Sequence, residues 1–245
     1  MSIRLSVIIP AYNEEKRIAP TIRETCAYLA AQGYQSEVIV ALNNCTDATA
    51  VVVASLEAEF PMLRHIDLGF VRSPSGTKGL AVAHGMRAAC GEYRIYMDAD
   101  NAAKIGEIEK LWPLADEGCD VVFGSRYVSG ADRTVSWHRR ALSRVGNLLV
   151  RALLLPGVRD TQCAFKLFTA RAAEAVFSRL TIAGWGFDME ALYIARRLGL
   201  SLREVPIVWR EVGDSSLKAR AFRTALHDLL TVRFRAWAGK YRSSR

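Results

Sequence analysis

Short apolar runs rich in β-branched residues alternate with longer amphipathic helical patterns through the first half of the chain. This alternation is typical of βα units, whose strands form a mostly parallel sheet flanked by helices. The predicted strands are 6–10, 37–42, 65–71, 94–97 and 120–125, and the predicted helices are 15–32, 46–60, 79–90 and 104–115. Ile18, Ile22, Cys26 and Leu29 recur at helical spacing and should face the sheet. The sequence therefore predicts an α/β fold.

The pattern changes after Arg126. Leucines mix with arginines in 138–155, which predicts a basic amphipathic helix; an ordinary surface helix with solvated arginines is the alternative. A strand near 161–168, helices near 170–177 and 187–198, a strand at 203–208 and a basic helical tail follow. Trp237 and Tyr241 lie among arginines in that tail, which suits a lipid interface and equally a docked helix. We expect one domain over 1–217 and a basic amphipathic C-terminal helix over 218–245.

Composition narrows the classes of partner. The formal net charge is +8 over 245 residues, which favours nucleic acid, acidic lipid head groups or phosphorylated small molecules. The five cysteines are far apart and form no C-x-x-C pair, which argues against a disulfide framework or a zinc site and fits a reducing cytosol. No secretory signal is expected before the strand at 6–10, and the apolar run at 148–158 is shorter than the roughly 20 residues that cross a bilayer. If the protein works at a membrane, we expect it on the cytoplasmic face as a peripheral protein.

Two carboxylates, Asp98 and Asp100, stand at the end of the apolar strand 94–97. In an extended chain, residues i and i+2 point to the same side, so both carboxylates can face one ligand. Ligands of parallel α/β sheets bind beyond the carboxyl ends of the strands, and hard oxygen ligands suit Mg²⁺ or Mn²⁺ bound together with substrate phosphates. A turn or a helix cap is the structural alternative for the same two residues.

Two other strand ends carry polar residues. Pro10-Ala11-Tyr12-Asn13-Glu14 follows the first strand and Asn43-Asn44 follows the second, and helix capping alone would explain either segment. A parallel sheet places both along one edge with the Asp pair, where together they outline a nucleotide-sized cleft. The segment 73–79, which contains Lys78, lacks the spacing of an ATP-binding P-loop.

Taken in order, these segments resemble the motifs of family-2 glycosyltransferases. The motifs of the first half are P-A-Y-N-E (10–14), G-T-K-G-L-A-V (76–82), D-A-D (98–100) and G-S-R (124–126). The second half resembles dolichyl-phosphate glucosyltransferases and dolichyl-phosphate mannose synthases through D-T-Q-C-A-F-K-L-F (160–168), G-W-G-F-D-M-E (184–190) and E-V-P-I-V-W (204–209). The resemblance implies a catalytic domain of GT-A type over 1–217 that binds a nucleotide sugar.

The resemblance also implies roles for single residues. The nucleotide sugar would be bound by Pro10, Tyr12, Glu14, Asn43, Asn44, Lys78, Asp98, Ala99, Asp100, Arg210 and Lys218. Asp98 and Asp100 would hold the metal ion, Mg²⁺ or Mn²⁺, and the lipid phosphate would be bound by Arg126, Arg139 and Ser143. The candidate catalytic residues are Asp100, Arg126 and Asp188. Asp188 would hold sugar hydroxyls or act as a base, and a carboxylate at a helix N-terminus is its structural alternative.

Two departures from the family pattern bear on the donor. Relatives usually carry an Asp-Asp pair where this chain has Asn43-Asn44, which leaves the base of the donor nucleotide open. Ser216 stands where mannose synthases have lysine, and the neighbouring Lys218 is the candidate replacement.

The activity that the resemblance implies is inverting transfer of a sugar from a nucleotide diphosphate sugar to polyprenyl or dolichyl phosphate. UDP-glucose is the first choice of donor and GDP-mannose the alternative. Transfer to a hydroxyl of a sugar or protein is a second alternative, and a catalytically inactive lipid-binding scaffold is a third. A basic nucleic-acid-binding protein belongs to a different class and has no motif in its favour, so nucleic acid is not an expected partner. The expected partners are the two substrates, a membrane surface and, as a further candidate, a separate integral membrane protein.

Overall fold

The computed structural model describes residues 2–73, 75–134, 147–210 and 219–241. The strands are β1 (Leu5–Ala11), β2 (Ser36–Leu42), β3 (Leu63–Asp67), β4 (Tyr93–Met97), β5 (Val121–Ser125), β6 (Asp132–Thr134), β7 (Phe165–Thr169), β8 (Leu202–Pro206) and β9 (Val208–Arg210). Within the described residues, seven of them form one sheet in the order β3-β2-β1-β4-β7-β5-β8, while β6 pairs with β9. The main sheet is parallel except for β7, which runs antiparallel to β4 and β5. The predicted mostly parallel sheet is confirmed.

Helices flank this sheet and bury its two faces. They are α1 (Ile18–Ala30), α2 (Thr49–Glu57), α3 (Lys78–Ala88), α4 (Trp112–Asp116), α5 (147–153), α6 (Ala170–Phe177), α7 (Phe187–Arg197) and α8 (Ala219–Trp237). Successive residues of β1 enter opposite cores, because side chains alternate across a strand. Ile8 belongs to the core beneath α3, α6 and α7, whereas Val7 and Ile9 belong to the core beneath α1 and α2. The predicted inner face of α1, formed by Ile18, Ile22, Cys26 and Leu29, is buried in the second core.

Four predicted elements differ from the observed ones. The strand predicted at 65–71 is β3, which begins two residues earlier and ends at Asp67. The predicted helix at 104–115 is a 3₁₀ helix, Ile105–Lys110, followed by α4, and Pro113 lies in the first turn of α4, where its missing N–H is tolerated. The predicted strand at 203–208 is interrupted at Ile207, which separates β8 from β9. The strand predicted from 161 begins at Phe165, because the chain before it turns around Asp160, whose Oδ1 accepts the N–H of Gln162 (3.1 Å). Of the predicted basic helix at 138–155, the described part is helical over 147–153.

The direction of the strands brings the candidate site residues to one edge of the sheet. β1, β2 and β4 are mutually parallel, and β5 is parallel to β4 because both pair antiparallel with β7. Met97 at the end of β4 is paired with Phe165 at the start of β7, so the segment before β7 reaches the same edge. No helix within the described ranges is long and apolar enough to cross a bilayer.

Candidate active site

The two carboxylates after β4 lie in a turn that the rest of the fold holds in place. Ala99, between them, is buried, and its carbonyl accepts a hydrogen bond from Thr21 Oγ1 of α1 (2.8 Å). Asp98 Oδ1 accepts a hydrogen bond from Nζ of Lys78, the first residue of α3, and forms an ion pair with it. Lys78 and Asp98, two residues to which the resemblance gives a role in binding the nucleotide sugar, are therefore in contact in the structure.

The electrostatics of this turn favour an additional cation. Burial raises the pKa of Asp100, and the neighbouring carboxylate of Asp98 raises it further. Burial acts to lower the pKa of Lys78, but Asp98 and, in addition, Asp188 outweigh it, so the pKa of Lys78 is raised. Two carboxylates beside one ammonium leave a net negative charge, and a bound cation would offset the cost of keeping Asp100 ionised.

The donor set suits a metal ion that is shared with a substrate. Within the residues that the structure describes, no group of three His, Cys, Asp or Glu side chains could hold a metal ion. Asp98 and Asp100 supply hard carboxylate oxygens, the ligand type that Mg²⁺ and Mn²⁺ prefer. A cation here would complete its coordination with oxygens from a substrate, as Mg²⁺ commonly does with phosphates.

The segment after β1 borders the same edge. Pro10 is buried within β1 and paired with Ala41 of β2, whereas the side chain of Tyr12 is exposed. The carboxylate of Glu14 accepts two hydrogen bonds from Arg17 (2.8 and 2.9 Å). Burial raises the pKa of Glu14, and Arg17 only partly offsets the rise. Glu14 is thus a half-buried acceptor, and Tyr12 offers an exposed ring beside it.

The two asparagines after β2 make contacts that their position in the sequence did not indicate. Asn43 Nδ2 donates to the carbonyl of Ala11 (3.0 Å), and its Oδ1 accepts from the hydroxyl of Thr77. Asn44 donates to the carbonyl of Val71 (2.8 Å) and accepts the N–H of the same residue (2.6 Å). Both side-chain amides therefore join the β2 end to the segment 69–77.

Arg126, the residue after β5, forms a buried ion pair. Its backbone N–H and Nε donate to Asp160 Oδ2 (2.9 and 2.7 Å), and one Nη donates to Oδ1 (2.9 Å). Its guanidinium also lies 5.4 Å from the ring centroid of Trp209. Asp160 is fully buried; burial acts to raise the pKa of this carboxyl, but Arg126 outweighs it and lowers the pKa. Arg126 is a cation fixed at the edge by a partner that sequence reasoning did not assign.

Asp188 lies in the first turn of α7 and belongs to a buried network. Its Oδ1 accepts hydrogen bonds from Tyr96 Oη (2.6 Å) and from Nζ of Lys166. Lys166 is fully buried, donates also to the carbonyl of Cys163, and is paired with Tyr96 across β7 and β4. This geometry gives a carboxylate with one oxygen tied to the sheet and a fixed counter-charge beneath it.

The remaining predicted residues lie at the rim of the site or outside the described part. The side chain of Arg210 pairs with Asp132, and its backbone N–H donates to the carbonyl of Ala102 (2.8 Å), which joins β9 to the turn that carries the carboxylates. Arg139, Ser143 and Lys218 lie outside the described residues.

Three residues with clear contacts at the site received no role from sequence reasoning: Asp160, Lys166 and Trp185. A usable signal existed for Lys166, because a lysine inside the apolar strand C-A-F-K-L-F must find a buried partner. Trp185 could not be assigned in advance, because its contact with Lys78 (4.6 Å from Nζ to the ring centroid) depends on the packing of two distant loops.

Comparisons with known proteins agree with this geometry. Residues 6–177 match the family model described as Glycosyl transferase family 2. A dolichyl-phosphate beta-glucosyltransferase of Trichomonas vaginalis is 34% identical in an alignment of 237 positions, which covers 92% of this chain and 69% of the relative. The dolichyl-phosphate beta-glucosyltransferase of Homo sapiens is 34% identical in an alignment of 260 positions, which covers 98% of this chain and 78% of the relative.

A solved structure supports the same fold. Glucosyl-3-phosphoglycerate synthase from Mycobacterium tuberculosis, in complex with Mn²⁺, UDP-glucose and phosphoglyceric acid, matches with a TM-score of 0.71 at 20% sequence identity. The match covers 95% of this chain and 80% of that protein. The family model matches most of this chain, and several relatives are more than 30% identical to it. The chain therefore belongs to glycosyl transferase family 2 and is a glycosyltransferase.

Proposed function

We propose that this protein transfers glucose from UDP-glucose to dolichyl or another polyprenyl phosphate, with inversion at the anomeric carbon, at the cytoplasmic face of a membrane. The observation that carries the proposal is the presence of two separate charged centres on one edge of the sheet. Asp98, Asp100 and Lys78 form the first after β4, and Arg126 forms the second after β5. A donor diphosphate and an acceptor phosphate each need such a centre.

The donor centre is assigned to the diphosphate and its metal ion. Mg²⁺ or Mn²⁺ would be held by Asp98 and Asp100, and when bound it would neutralise charge on the departing nucleoside diphosphate. Lys78 supplies an ammonium at the same place and a second means of binding phosphate oxygens. Tyr12 and Glu14 border the nucleoside in this assignment, and Arg210, on the strand joined to the carboxylate turn, lies at its rim.

The hydrogen bonds of Asn43 and Asn44 to Ala11, Thr77 and Val71 favour a role in supporting the loops around the nucleotide, and we propose in addition that one of the two contacts the base. The Mycobacterium structure, which contains UDP-glucose and Mn²⁺ on the same fold, supports UDP over GDP as the nucleotide. The names of the relatives support glucose and dolichyl phosphate.

The acceptor centre is assigned to the lipid phosphate. The ion pair with Asp160 uses two of the five N–H donors of the Arg126 guanidinium. The guanidinium is held in a fixed orientation by this pair, which suits recognition of a phosphate. Arg139 and Ser143 are proposed to complete this centre.

The chemistry does not need a strong base in this assignment. A phosphate monoester has a second pKa near 6, as in phosphoserine, so the attacking oxygen is already anionic at neutral pH. Asp188, whose Oδ1 is tied to Tyr96 and Lys166, is then better suited to hold a sugar hydroxyl than to take up a proton. Attack on the face opposite the leaving group gives inversion.

An exposed apolar stripe on α8 supports attachment to a membrane surface. The residues facing the protein, such as Leu229 and Val232, are buried. A second apolar row on the same helix is exposed and consists of Leu226, Leu230, Phe234 and Trp237, with Phe234 66% and Trp237 83% exposed. These four positions fall within about a quarter of the helix circumference, given 3.6 residues per turn. A helix that only packs on its own domain needs one apolar face.

The charge around this stripe favours an anionic bilayer as its partner. Arg197 and Arg233 line the surface depression that contains Trp237, and the whole chain carries a net charge of +8. Basic residues beside exposed aromatic residues bind the head-group region of anionic membranes. Flotation with phosphatidylserine vesicles should recover the wild type, and Phe234→Glu/Trp237→Glu should reduce recovery strongly. Val51→Glu, an exposed apolar position on α2, is the matched control. Equal recovery of the double variant, or binding only to a membrane that contains a partner protein, would contradict attachment through this stripe.

The activity test is transfer of radiolabelled sugar into organic-extractable lipid. UDP-glucose, UDP-galactose and GDP-mannose are compared, with polyprenyl phosphate and with Mg²⁺, Mn²⁺ or EDTA. We expect metal-dependent label from UDP-glucose that is lost in Asp100→Ala. If only GDP-mannose gives labelled lipid, the donor is GDP-mannose and not UDP-glucose. If the protein binds nucleotide but labels lipid from no donor, the acceptor is a hydroxyl group instead.

A further inference from the structure

Lys78 lies at a position that is electrostatically unfavourable for a lysine unless other groups compensate. It is the first residue of α3, and the N-terminus of a helix carries partial positive charge that disfavours a cation. Its side chain is only 15% exposed, so water does not compensate for this placement. Two contacts do so instead: the ion pair with Asp98 Oδ1 and the face of the Trp185 ring, whose centroid is 4.6 Å from Nζ.

Trp185 is held over Lys78 by close packing of two loops. A Cβ on Gly184 would lie 2.1 Å from the carbonyl oxygen of Ser75, and a Cβ on Gly79 would lie 2.5 Å from Cβ of Phe187. The backbone N–H of Leu80 donates to the carbonyl of Ala183 (3.1 Å) across the same contact. The start of α3 and the loop before α7 therefore form one unit, in which the ammonium lies between an indole ring and a carboxylate.

The oxygen that Lys78 contacts belongs to one of the two carboxylates that are proposed to hold the metal ion. An ammonium and a divalent cation repel each other, so each weakens the binding of the other to a carboxylate that they share. The side chain of Lys78 is flexible, so its ammonium can turn towards a phosphate bound at the N-terminus of α3. The ammonium would donate a charge-assisted hydrogen bond to that phosphate.

We propose that Lys78 is an internal cation that occupies Asp98 in the nucleotide-free protein and moves to the donor diphosphate when the metal ion binds. The proposal rests on the metal site of the proposed function. It means that Lys78 weakens binding of the metal ion alone and strengthens binding of the metal ion together with the nucleotide. Lys78 thereby makes the two ligands bind as a pair.

The test measures metal binding without catalysis. Free Mn²⁺ is quantified by its electron paramagnetic resonance signal in titrations of wild type, Lys78→Met, Lys78→Gln and Lys78→Arg, each with and without UDP. Lys104→Met is the matched control, because this exposed lysine lies four residues after Asp100 and pairs with Glu24 (2.8 Å) rather than with Asp98. Thermal melts confirm that each variant is folded.

In the absence of UDP, Lys78→Met and Lys78→Gln should bind Mn²⁺ roughly 10- to 100-fold more tightly than wild type, the range expected when a charge-assisted hydrogen bond no longer competes. The factor by which UDP tightens Mn²⁺ binding should fall in both variants. Lys78→Arg keeps the charge and should stay close to wild type, as should Lys104→Met.

The outcomes separate this inference from the function on which it rests. If Mn²⁺ binds neither wild type nor the variants, even with UDP, the metal site itself is wrong. If wild type binds Mn²⁺ with UDP but Lys78→Met and Lys78→Gln bind free Mn²⁺ no more tightly than wild type, Lys78 does not compete for Asp98 and the inference is overturned. Should Lys78→Met not fold, Lys78→Gln carries the same expectation.

Discussion

Replacing Arg126 by alanine should lower the stability of the protein before it reveals anything about acceptor binding. Asp160 is fully buried and accepts two hydrogen bonds from the Arg126 guanidinium (2.7 and 2.9 Å), which alanine would remove, and one from the backbone N–H of the same residue (2.9 Å), which alanine would keep. Removing one partner of a buried ion pair generally costs about 3–5 kcal/mol, because the other charge stays buried without compensation. In a protein of this size 1 kcal/mol shifts the melting temperature by about 2–4 °C. We therefore expect Arg126→Ala to melt about 6–20 °C below wild type.

The loss should depend on pH in a defined direction. In wild type, burial acts to raise the pKa of Asp160, but Arg126 outweighs it and holds the pKa below its ordinary value. The ion pair therefore stabilises the fold above the unfolded pKa of about 4, and this contribution is lost as the pH falls through the lower folded value. In Arg126→Ala the lowering effect of Arg126 is absent, so burial raises the pKa of Asp160 in the folded variant. A fall in pH then protonates Asp160 and removes part of the destabilisation that the buried charge causes. The difference between the two proteins should shrink between pH 7 and pH 5.

Urea unfolding at pH 7 and pH 5, followed by circular dichroism, measures both effects. Arg126→Lys belongs in the same series, because lysine keeps the charge but loses the planar fork that matches a carboxylate. It should lie between wild type and Arg126→Ala in free energy of unfolding. A loss below about 1 kcal/mol in Arg126→Ala, or a loss that is equal at both pH values, would refute the reasoning that Asp160 depends on Arg126. Acceptor assays should therefore use Arg126→Lys at a temperature well below its own melting transition, where the variant is folded.

Three further predictions follow from buried contacts. Lys166→Met should destabilise the fold by about 3–5 kcal/mol because it leaves Asp188 without its counter-charge, and Lys166→Met/Asp188→Asn should recover most of this loss in urea unfolding; a double variant no more stable than the single one would contradict the coupling. Asp100→Asn should abolish metal-dependent transfer yet raise the melting temperature of the metal-free protein at pH 7, because burial raises the pKa of Asp100 and the amide has no ionised form to disfavour. This gain should fade as the pH falls below the raised pKa, and a lower melting temperature at pH 7 would count against it. Gly184→Ala should cost about 1–3 kcal/mol, because its Cβ would lie 2.1 Å from the carbonyl oxygen of Ser75, and an unchanged calorimetric melt would contradict this packing.

Local pattern was sufficient to predict the order of strands and helices as far as β4, because each strand there is followed by a helical segment; after β4 the helix predicted at 104–115 is a 3₁₀ helix followed by the short α4. The same pattern did not give the direction of β7. Consecutive strands are usually neighbours in a sheet, yet β7 lies between β4 and β5 and runs antiparallel to both. That placement depends on long-range pairing: Val122 of β5 pairs with Leu167 of β7, more than 40 positions later in the sequence. No local period in the sequence encodes such pairing.

The candidate site divides in the same way. Asp98 and Asp100 were predicted because a strand end is visible in sequence and the ends of parallel strands share an edge, whereas Arg126 was predicted from the resemblance to family-2 glycosyltransferases. The contacts of Arg126 with Asp160 were not predicted, because the choice of partner depends on the register that sets Phe165 opposite Met97. Residues of opposite charge are common in any sequence, and only the fold decides which of them meet.

The position of β7 also explains how one edge can serve two phosphates. β4 and β5 are separated by one intervening strand, so their ends lie about 10 Å apart, given about 4.8 Å between neighbouring strands. A metal-bound diphosphate after β4 and an acceptor phosphate after β5 would then bind at separate strand ends of the same edge. Lys166 on β7 holds Asp188 beneath that interval, where the proposed reaction would place the transferred sugar. Because glucose and mannose differ in the direction of one hydroxyl group, a carboxylate fixed at this position is the side chain from which we expect discrimination between the two sugars, and the Lys166–Asp188 pair then acts on the choice of donor as well as on stability.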